Sequence, residues 1–171
     1  MDGTPLEIRD DEGRVRQRGT LRSGALDGLL TVLDEDGLTV MTMTFKAGVL
    51  HGVMRLMDGS RPTAEISYAE GKRQGRMVVF GPTGRPAQVQ HFSADRLDGP
   101  SQIFTPEGAM VQEAVYVKGR LHGEVREYYP DGAVRRVQNF AQGQPLAQAV
   151  EHAPVAVPAK SWLKRALNGG G

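Results

Sequence analysis

Aromatic residues recur with a period of about 24 residues along most of this 171-residue chain. They stand at Phe45, Tyr68, Phe92, Tyr116 and Phe140, at intervals of 23, 24, 24 and 24 residues. A glycine column keeps the same step, at Gly28, Gly52, Gly75, Gly99 and Gly123. Two independent columns in step predict stacked copies of one supersecondary unit, which restricts the chain to a repeat architecture.

Each copy has the sequence of a β-hairpin. Its first strand follows the column glycine, as in "EVREYY", and its turn contains residues such as "PDG". Pro presets φ, Asp tolerates the bend and Gly adopts positive φ, which is why these residues occupy turns. The second strand ends at the aromatic residue, and a connection such as "VKGRLHG" leads to the next hairpin. The 22 glycines of the chain agree with so many turns.

Two further columns are apolar in nearly every copy. One stands two residues after the column glycine, at Leu30, Met54, Met77, Ser101 and Val125. The other stands three residues later, at Leu33, Met57, Phe80, Phe104 and Tyr128. Because polar residues lie between these columns, we expect one face or edge of an antiparallel sheet to be buried and the other to be solvated. About eleven strands, each about 4.8 Å from the next, predict a sheet on the order of 50 Å long.

The pattern Tyr/Phe-x-x-Gly-x-x-x-Gly, followed by a strand and a Pro-Asp-Gly-like turn, resembles the MORN repeat. In length it is most similar to the MORN-variant repeat of many bacterial proteins, some of them described as antitoxin-like. The resemblance covers residues 24–146, with a half-copy at 8–21. It implies an all-β fold, an elongated antiparallel meander of about five and a half hairpins. Asp95 in place of glycine, a shortened second copy and Ala147 where the next glycine would fall are departures from the pattern.

The period is lost after residue 146. We therefore divide the chain into a repeat array at 1–146, an extended linker at 147–160 and a C-terminal tail at 161–171. The segment "SWLKRAL" predicts two turns of amphipathic helix with Ser161 as N-cap. Since so short a helix is marginal in water on its own, three placements stay open: on its own sheet, in the groove of a partner, or on a membrane surface.

The sequence predicts neither catalysis nor a cofactor. There is no cysteine, no G-x-S-x-G, no G-x-G-x-x-G and no phosphate loop. His51 and His122 share a repeat column with Asp27 and Asp98, which indicates turn chemistry through local backbone bonds rather than metal binding. We expect a protein that is not an enzyme and that holds no metal and no cofactor.

Charge is nearly balanced, with 21 Lys and Arg against 20 Asp and Glu. Such a chain is too neutral for a general nucleic-acid binder, and the basic clusters at 14–18 and 133–137 are flanked by acidic residues. The N-terminus opens acidic, and no stretch approaches about 18 consecutive apolar residues. We therefore expect a cytoplasmic protein without a nucleic-acid partner.

The residues that the repeat does not fix are left for function. In the best-preserved copy these are Arg126, Tyr129, Arg135 and Arg136, and in the tail they are Trp162, Leu163, Lys164 and Arg165. Since Tyr128 falls in an apolar column, Tyr129 is the tyrosine expected to face a partner. The resemblance implies a non-catalytic protein-binding scaffold, concretely an immunity protein, antitoxin or adaptor that binds a bacterial toxin, effector or secretion component. A lipid-binding protein of the membrane surface and a self-assembling scaffold are the alternatives, and the oligomeric state is left open.

Overall fold

The computed structural model describes residues 3–154, and every regular element in this range is a β-strand. Seventeen strands form one antiparallel sheet in which each row pairs with its neighbours along the chain. The strands are β1 (Thr4–Arg9), β2 (Val15–Arg22), β3 (Ala25–Leu26), β4 (Gly28–Leu33), β5 (Thr39–Lys46), β6 (Val49–Leu50), β7 (Gly52–Asp58), β8 (Arg61–Ala69), β9 (Lys72–Phe80), β10 (Pro86–Ser93), β11 (Arg96–Phe104), β12 (Met110–Val117), β13 (Arg120–Leu121), β14 (Gly123–Tyr128), β15 (Val134–Ala141), β16 (Gln144–Pro145) and β17 (Val150–Glu151). The predicted all-β meander of hairpins is confirmed. Within residues 3–154, no helix is long and apolar enough to cross a membrane.

The seventeen strands occupy thirteen rows of the sheet, because four rows are interrupted. Three interruptions fall on the residue before the column glycine, as between β3 and β4, and the fourth separates β16 from β17. Thirteen rows, each about 4.8 Å from the next, make a sheet roughly 60 Å long. This is longer than the sequence predicts, because the array continues at both ends.

Both ends of the array differ from the prediction. The half-copy expected at 8–21 is a complete hairpin of β1 and β2, in which Leu6 pairs with Gly19. At the other end, Val150 pairs with Val137 in β15, so the first part of the predicted linker at 147–160 lies in the sheet. The helix expected at 161–171 lies outside the described residues.

Two-residue turns form one long margin of the sheet, which we call the tight-turn margin. They lie at 23–24, 47–48, 70–71, 94–95, 118–119 and 142–143, and both residues of each turn have positive φ. This is the type I′ geometry, whose twist matches that of the flanking strands. Asp95 keeps the conformation of the glycine that it replaces, with φ 68°, because Asp adopts the left-handed region more readily than most residues. The turns stack on one another, as Gly119 N donates to Leu97 O at 2.7 Å.

Wider turns form the opposite margin, the wide-turn margin. In the last complete hairpin, Tyr129 N donates to Ala133 O and Gly132 N to Tyr129 O, both at 2.9 Å. The register shifts by a β-bulge beside the turn, here between Glu127 and Tyr128. In the second copy, four residues separate Met57 from its partner Pro62, whereas five separate Leu33 from Thr39 in the first copy. This one-residue difference explains the period of 23 residues.

The two apolar columns lie on opposite faces of the sheet, which corrects the expectation of a single buried face. Leu30 pairs with Met43, whereas Leu33 pairs with Thr39 beyond a bulge. Side chains alternate between faces along a strand, so positions three residues apart point in opposite directions. We call the face that bears Leu30 and the aromatic column the apolar face, and the other one the polar face.

Burial is shallow, because residues 3–154 form a single layer. The most buried hydrophobic residue is Val78, which is 3% exposed. The other buried hydrophobic residues are Leu30, Leu33, Ala64, Val89, Phe92 and Ala114. Neighbouring copies therefore supply most of the packing for one another, and the guanidinium of Arg73 lies 4.3 Å from the centre of the Phe92 ring.

Candidate binding surface

Arg126 belongs to a charge network on the polar face. It stands in β14 opposite Glu113 of β12. Its Nη1 donates to Glu113 Oε1 at 3.1 Å, and its Nη2 pairs with Glu124. The hydrogen bond to Glu113 and the charge of Glu124 raise the pKa of Arg126. This candidate is therefore engaged by two carboxylates of its own chain while about half of its side chain stays exposed.

Tyr128 joins the same network instead of the apolar face. Its hydroxyl donates to Glu113 Oε1 at 2.5 Å. Burial raises the pKa of the Tyr128 hydroxyl, and donation to Glu113 raises it further, because both favour the neutral phenol. Tyr129 lies in the wide turn, where its hydroxyl donates to His152 O at 2.9 Å. The tyrosine expected to face a partner thus contacts the last described segment of its own chain.

Arg136 and Arg135 lie apart from Arg126. Arg136 is on the apolar face, where it contacts Glu127 at 3.0 Å and Glu151 at 3.1 Å. Arg135 lies at the bulge of β15 with its Nη1 3.9 Å from Glu127 Oε2. The four candidates of this copy therefore form no single cluster. Trp162, Leu163, Lys164 and Arg165 lie outside the described residues.

The polar residue before the column glycine holds the next tight turn. Asp27 Oδ2 accepts from Ala47 N at 3.1 Å, and Gln74 Oε1 accepts from Ala94 N at 3.0 Å. In another copy, His51 Nδ1 lies 3.3 Å from Glu70 Oε1. The column residue therefore holds a turn, as predicted, but in both hydrogen bonds it is the turn of the next copy, 20 residues along the chain, and not the local backbone. In the described part of the chain, no group of three or more His, Asp or Glu is placed to hold a metal ion.

Two valines that belong to no repeat column are exposed on the polar face. Val115 and Val117 of β12 keep 44% and 43% of their surface exposed. Val115 stands opposite Pro100 of β11, and Val117 stands opposite Arg120 of β13. The signal in the sequence is "EAVYV", where apolar residues occupy consecutive positions. On a strand, such a run makes both faces apolar.

A basic depression of about 430 Å³ adjoins Val117 at the tight-turn margin. Its other lining residues are Arg96, Lys118, Arg120, His122 and Gln142. Among residues 3–154, no carboxylate lies within 4.0 Å of the three cationic groups. The depression therefore holds three cations that form no ion pair within the described part of the chain.

The acidic groups closest in sequence to the three cations do not neutralise them. Asp95 is held by Arg73, whose Nε lies 3.2 Å from Asp95 Oδ1. The hydrogen bond from Arg73 N lowers the pKa of Asp95, which is therefore ionised at neutral pH. Asp98 stands beside Val117, because the adjoining Gly99 pairs with Tyr116. Asp98 can balance only one of the three cations.

A second depression, of about 370 Å³, lies on the other side of Val115. Its lining includes Pro100, Gln102, Glu113, Glu124 and Arg126, so it ends at the charge network described above. We use the name β12 surface for the exposed strip made of Val115 and Val117 together with the groups at its two ends. One end holds Arg96, Lys118 and Arg120, and the other holds Arg126 with its carboxylates.

Comparison with known proteins adds little to this geometry. No family model and no curated protein matches the chain. A solved structure with some similarity is the crystal structure of a GtfA/B complex bound to UDP and GlcNAc, at 16% sequence identity and a TM-score of 0.34. The match covers 59% of this chain and 22% of that one. Likeness at this level does not establish a common fold, and the resemblance to MORN-variant repeats continues to rest on the repeat pattern.

Proposed function

We propose that this chain is a non-catalytic scaffold that binds another protein against the polar face of its sheet. The observation that carries the proposal is the β12 surface, where exposed aliphatic side chains adjoin three cations that outnumber the nearby carboxylates. Surfaces that combine apolar contact area with arginine are typical of protein interfaces. The resemblance to MORN-variant repeats favours an immunity, antitoxin-like or adaptor role toward a bacterial effector or secretion component.

The sheet is large enough for such a role. Strands of six to nine residues make the sheet at least roughly 20 Å wide, at about 3.3 Å per residue. With a length of about 60 Å, one face offers on the order of 1,200 Å², whereas a standard interface buries about 800 Å² per partner. The stacked tight turns fix the backbone in advance, so little ordering is needed on binding. The mechanism would be occlusion of a partner by a rigid surface.

Affinity purification from the native host tests the proposal. We expect the unmodified chain to retain one protein in stoichiometric amount, and the double variant Val115→Asp, Val117→Asp to lose it. Leu29→Ser is the matched control, because Leu29 is a comparably exposed aliphatic residue on the same face in the first copy. Absence of a stoichiometric protein partner would overturn the proposal.

A second candidate function, binding to an anionic membrane surface, is favoured by the cations of the tight-turn margin. Lys46, Lys72, Arg96 and Arg120 recur there, one in each of four successive copies. Clusters of Lys and Arg bind anionic lipids, and the attraction falls with salt. Flotation with phosphatidylserine vesicles at low salt, lost when these four residues are changed to Ala, would favour this function. Failure to float at low salt would eliminate it.

A further inference from the structure

We propose that the β12 surface binds an extended acidic segment of a partner protein that carries aliphatic side chains. Carboxylates of the segment would pair with Arg96, Lys118 and Arg120, and its aliphatic side chains would cover Val115 and Val117. This inference rests on the proposed function and names the partner chemistry and the place of contact.

Charge complementarity identifies the acidic character of the ligand. Three cationic groups line one depression together with His122 and without any acidic lining residue. After Asp98 is counted against them, two positive charges remain in excess. Carboxylates of a partner would supply the missing counter-charges, and each such exposed pair contributes modestly on its own. Several pairs in one depression make the contact specific for an acidic segment.

The exposed valines identify the aliphatic character of the ligand. Val115 and Val117 are successive residues of β12 on the polar face, so their side chains lie about 7 Å apart along the strand. This matches the spacing of alternate residues in an extended peptide. Nucleic-acid phosphates offer no aliphatic group for these positions, and Glu113 and Glu124 beyond Val115 would repel a continuous polyanion.

Direct binding of synthetic peptides to the full chain tests the inference. The probe, which we call the Glu-Leu peptide, is the fluorescein-labelled octapeptide Glu-Glu-Glu-Glu-Leu-Ser-Leu-Ser, measured by fluorescence anisotropy at low salt. Its acidic half can lie at the cations while its alternate leucines cover Val115 and Val117. The Glu-Ser peptide has Ser in place of both leucines, which removes the aliphatic groups, and the Lys-Leu peptide has Lys in place of the four glutamates, which reverses the charge. We expect the Glu-Leu peptide to bind at least fivefold more tightly than the Glu-Ser peptide, and the Lys-Leu peptide not to bind.

Variants locate the site. Arg96→Ala with Arg120→Ala should weaken the Glu-Leu peptide by about tenfold, since each exposed pair accounts for about two- to fivefold. Val115→Ser with Val117→Ser should lower its affinity to that of the Glu-Ser peptide. Lys72→Ala is the matched control, because Lys72 occupies the same repeat position as Arg96 and Arg120 but stands opposite Ala69. All these residues are exposed or half-exposed, and unchanged unfolding midpoints would show that the variants are folded.

Equal binding of the Glu-Leu and Glu-Ser peptides would overturn the inference, and so would a Lys72→Ala loss as large as that of Arg96→Ala with Arg120→Ala. Binding of phosphatidylserine vesicles without binding of the Glu-Leu peptide would overturn it in favour of a lipid ligand. If a host partner binds the Arg96→Ala, Arg120→Ala variant undiminished, this inference fails while the proposed function stands. If no host protein is retained although the Glu-Leu peptide binds as expected, the proposed function fails and the β12 surface remains a peptide site.

Discussion

At the scale of single residues, two of the column glycines have φ values that other residues reach less readily than the φ values of the tight turns. Ala47 and Ala94 adopt φ of 49° and 46° in their turns, so the left-handed region is open to alanine in this fold. Gly52 and Gly99 have φ of 114° and 122°, beyond the region that L-residues visit. The φ values of Gly52 and Gly99 explain why glycine stands at the start of the first strand in their copies, whereas one tight turn accommodates Asp95 in place of glycine.

Replacement of Gly52 by alanine should be strongly destabilising. The added Cβ would lie 3.0 Å from Thr44 Cβ at a φ of +114°, so backbone strain and a close contact combine to a loss of about 2 to 3 kcal/mol. Gly24→Ala is the control, because Gly24 has φ +80° and nothing within 4 Å of the added Cβ. Its expected loss is about 1 kcal/mol. Urea unfolding measures both, and equal losses would contradict the argument.

Tyr128→Phe should lower stability in a pH-dependent way. Loss of the hydrogen bond to Glu113 should cost about 1 kcal/mol near neutral pH. The folded-state pKa of Tyr128 is raised above its unfolded value, so the contribution is fully present below about pH 10 and is lost as pH rises through the folded-state pKa.

Urea unfolding of wild type and Tyr128→Phe at pH 8 and at pH 11 measures this effect. The difference in unfolding free energy should shrink at the higher pH. A difference that stays constant or grows would mean that the hydroxyl does not donate to Glu113 in the folded state. Val49→Ala controls for general effects of alkaline pH, because Val49 is 41% exposed and has no titratable group.

At the scale of the hairpin, glycine and aromatic columns predict the repeat unit well because each has a strict local cause. Glycine marks positive φ, and the aromatic residue is the last but one of the second strand. The faces were harder to predict, because Leu33 and its equivalents sit beside a bulge three residues after an apolar position. The ends were missed because β1 and β17 pair through the backbone without repeating the column residues. The β12 surface was missed because Val115 and Val117 belong to no repeat column.

Deletion of one whole period should leave a folded array. Removal of residues 96–119 joins Asp95 to Arg120. The tight turn at 94–95, which is followed by "RL" at 96–97 in the full chain, is then followed by the "RL" of 120–121. Each row contacts only its neighbours, so the sheet should close with the same faces. Circular dichroism should show the same β signal per residue, with a cooperative but earlier unfolding transition.

The control is a variant that lacks residues 96–107, which are half of one period. It joins the tight turn to Gly108, which belongs to the wide-turn margin, so the following connections would fall at the wrong margin of the sheet. We expect this variant to lose its cooperative transition. Equal behaviour of the two deletions would show that the 24-residue period is not the folding unit.

At the scale of the whole molecule, a net charge of +1 conceals a separation of charge across the sheet. The wide turns and their flanks carry nine of the 20 acidic groups, partly balanced by arginines such as Arg14, Arg61 and Arg85. These nine are Asp10, Asp11, Glu12, Asp34, Glu35, Asp36, Asp58, Glu107 and Asp131. The tight-turn margin carries seven cationic groups against the four acidic groups Asp27, Glu70, Asp95 and Asp98, an excess of three positive charges. The seven are Arg22, Lys46, Lys72, Arg73, Arg96, Lys118 and Arg120. Such a field turns a charged partner toward one margin before contact. The basic end of the β12 surface lies on the margin that an acidic partner would approach.

The single-layer meander also predicts that stability is graded along the array. Every described residue of β16 and β17 is exposed, and β1 is exposed except at Leu6. The central strands β8 to β10 hold Ala64, Val78, Val89 and Phe92, all buried. Without a core common to all copies, opening should begin at the ends and reach the centre last. Amide hydrogen exchange should therefore be slowest in β8 to β10 and fastest in β1, β16 and β17.

Val78→Ala separates this gradient from simple fraying of the ends. It removes buried apolar surface in the central row β9, at a loss of about 2 kcal/mol. Because each row contacts only its neighbours, exchange should accelerate most in β8, β9 and β10 and much less in β2. Val49→Ala is the control, since Val49 is 41% exposed and should change exchange little anywhere. An equal acceleration from β2 to β15 in Val78→Ala would show that the array opens as one cooperative unit in spite of its single layer.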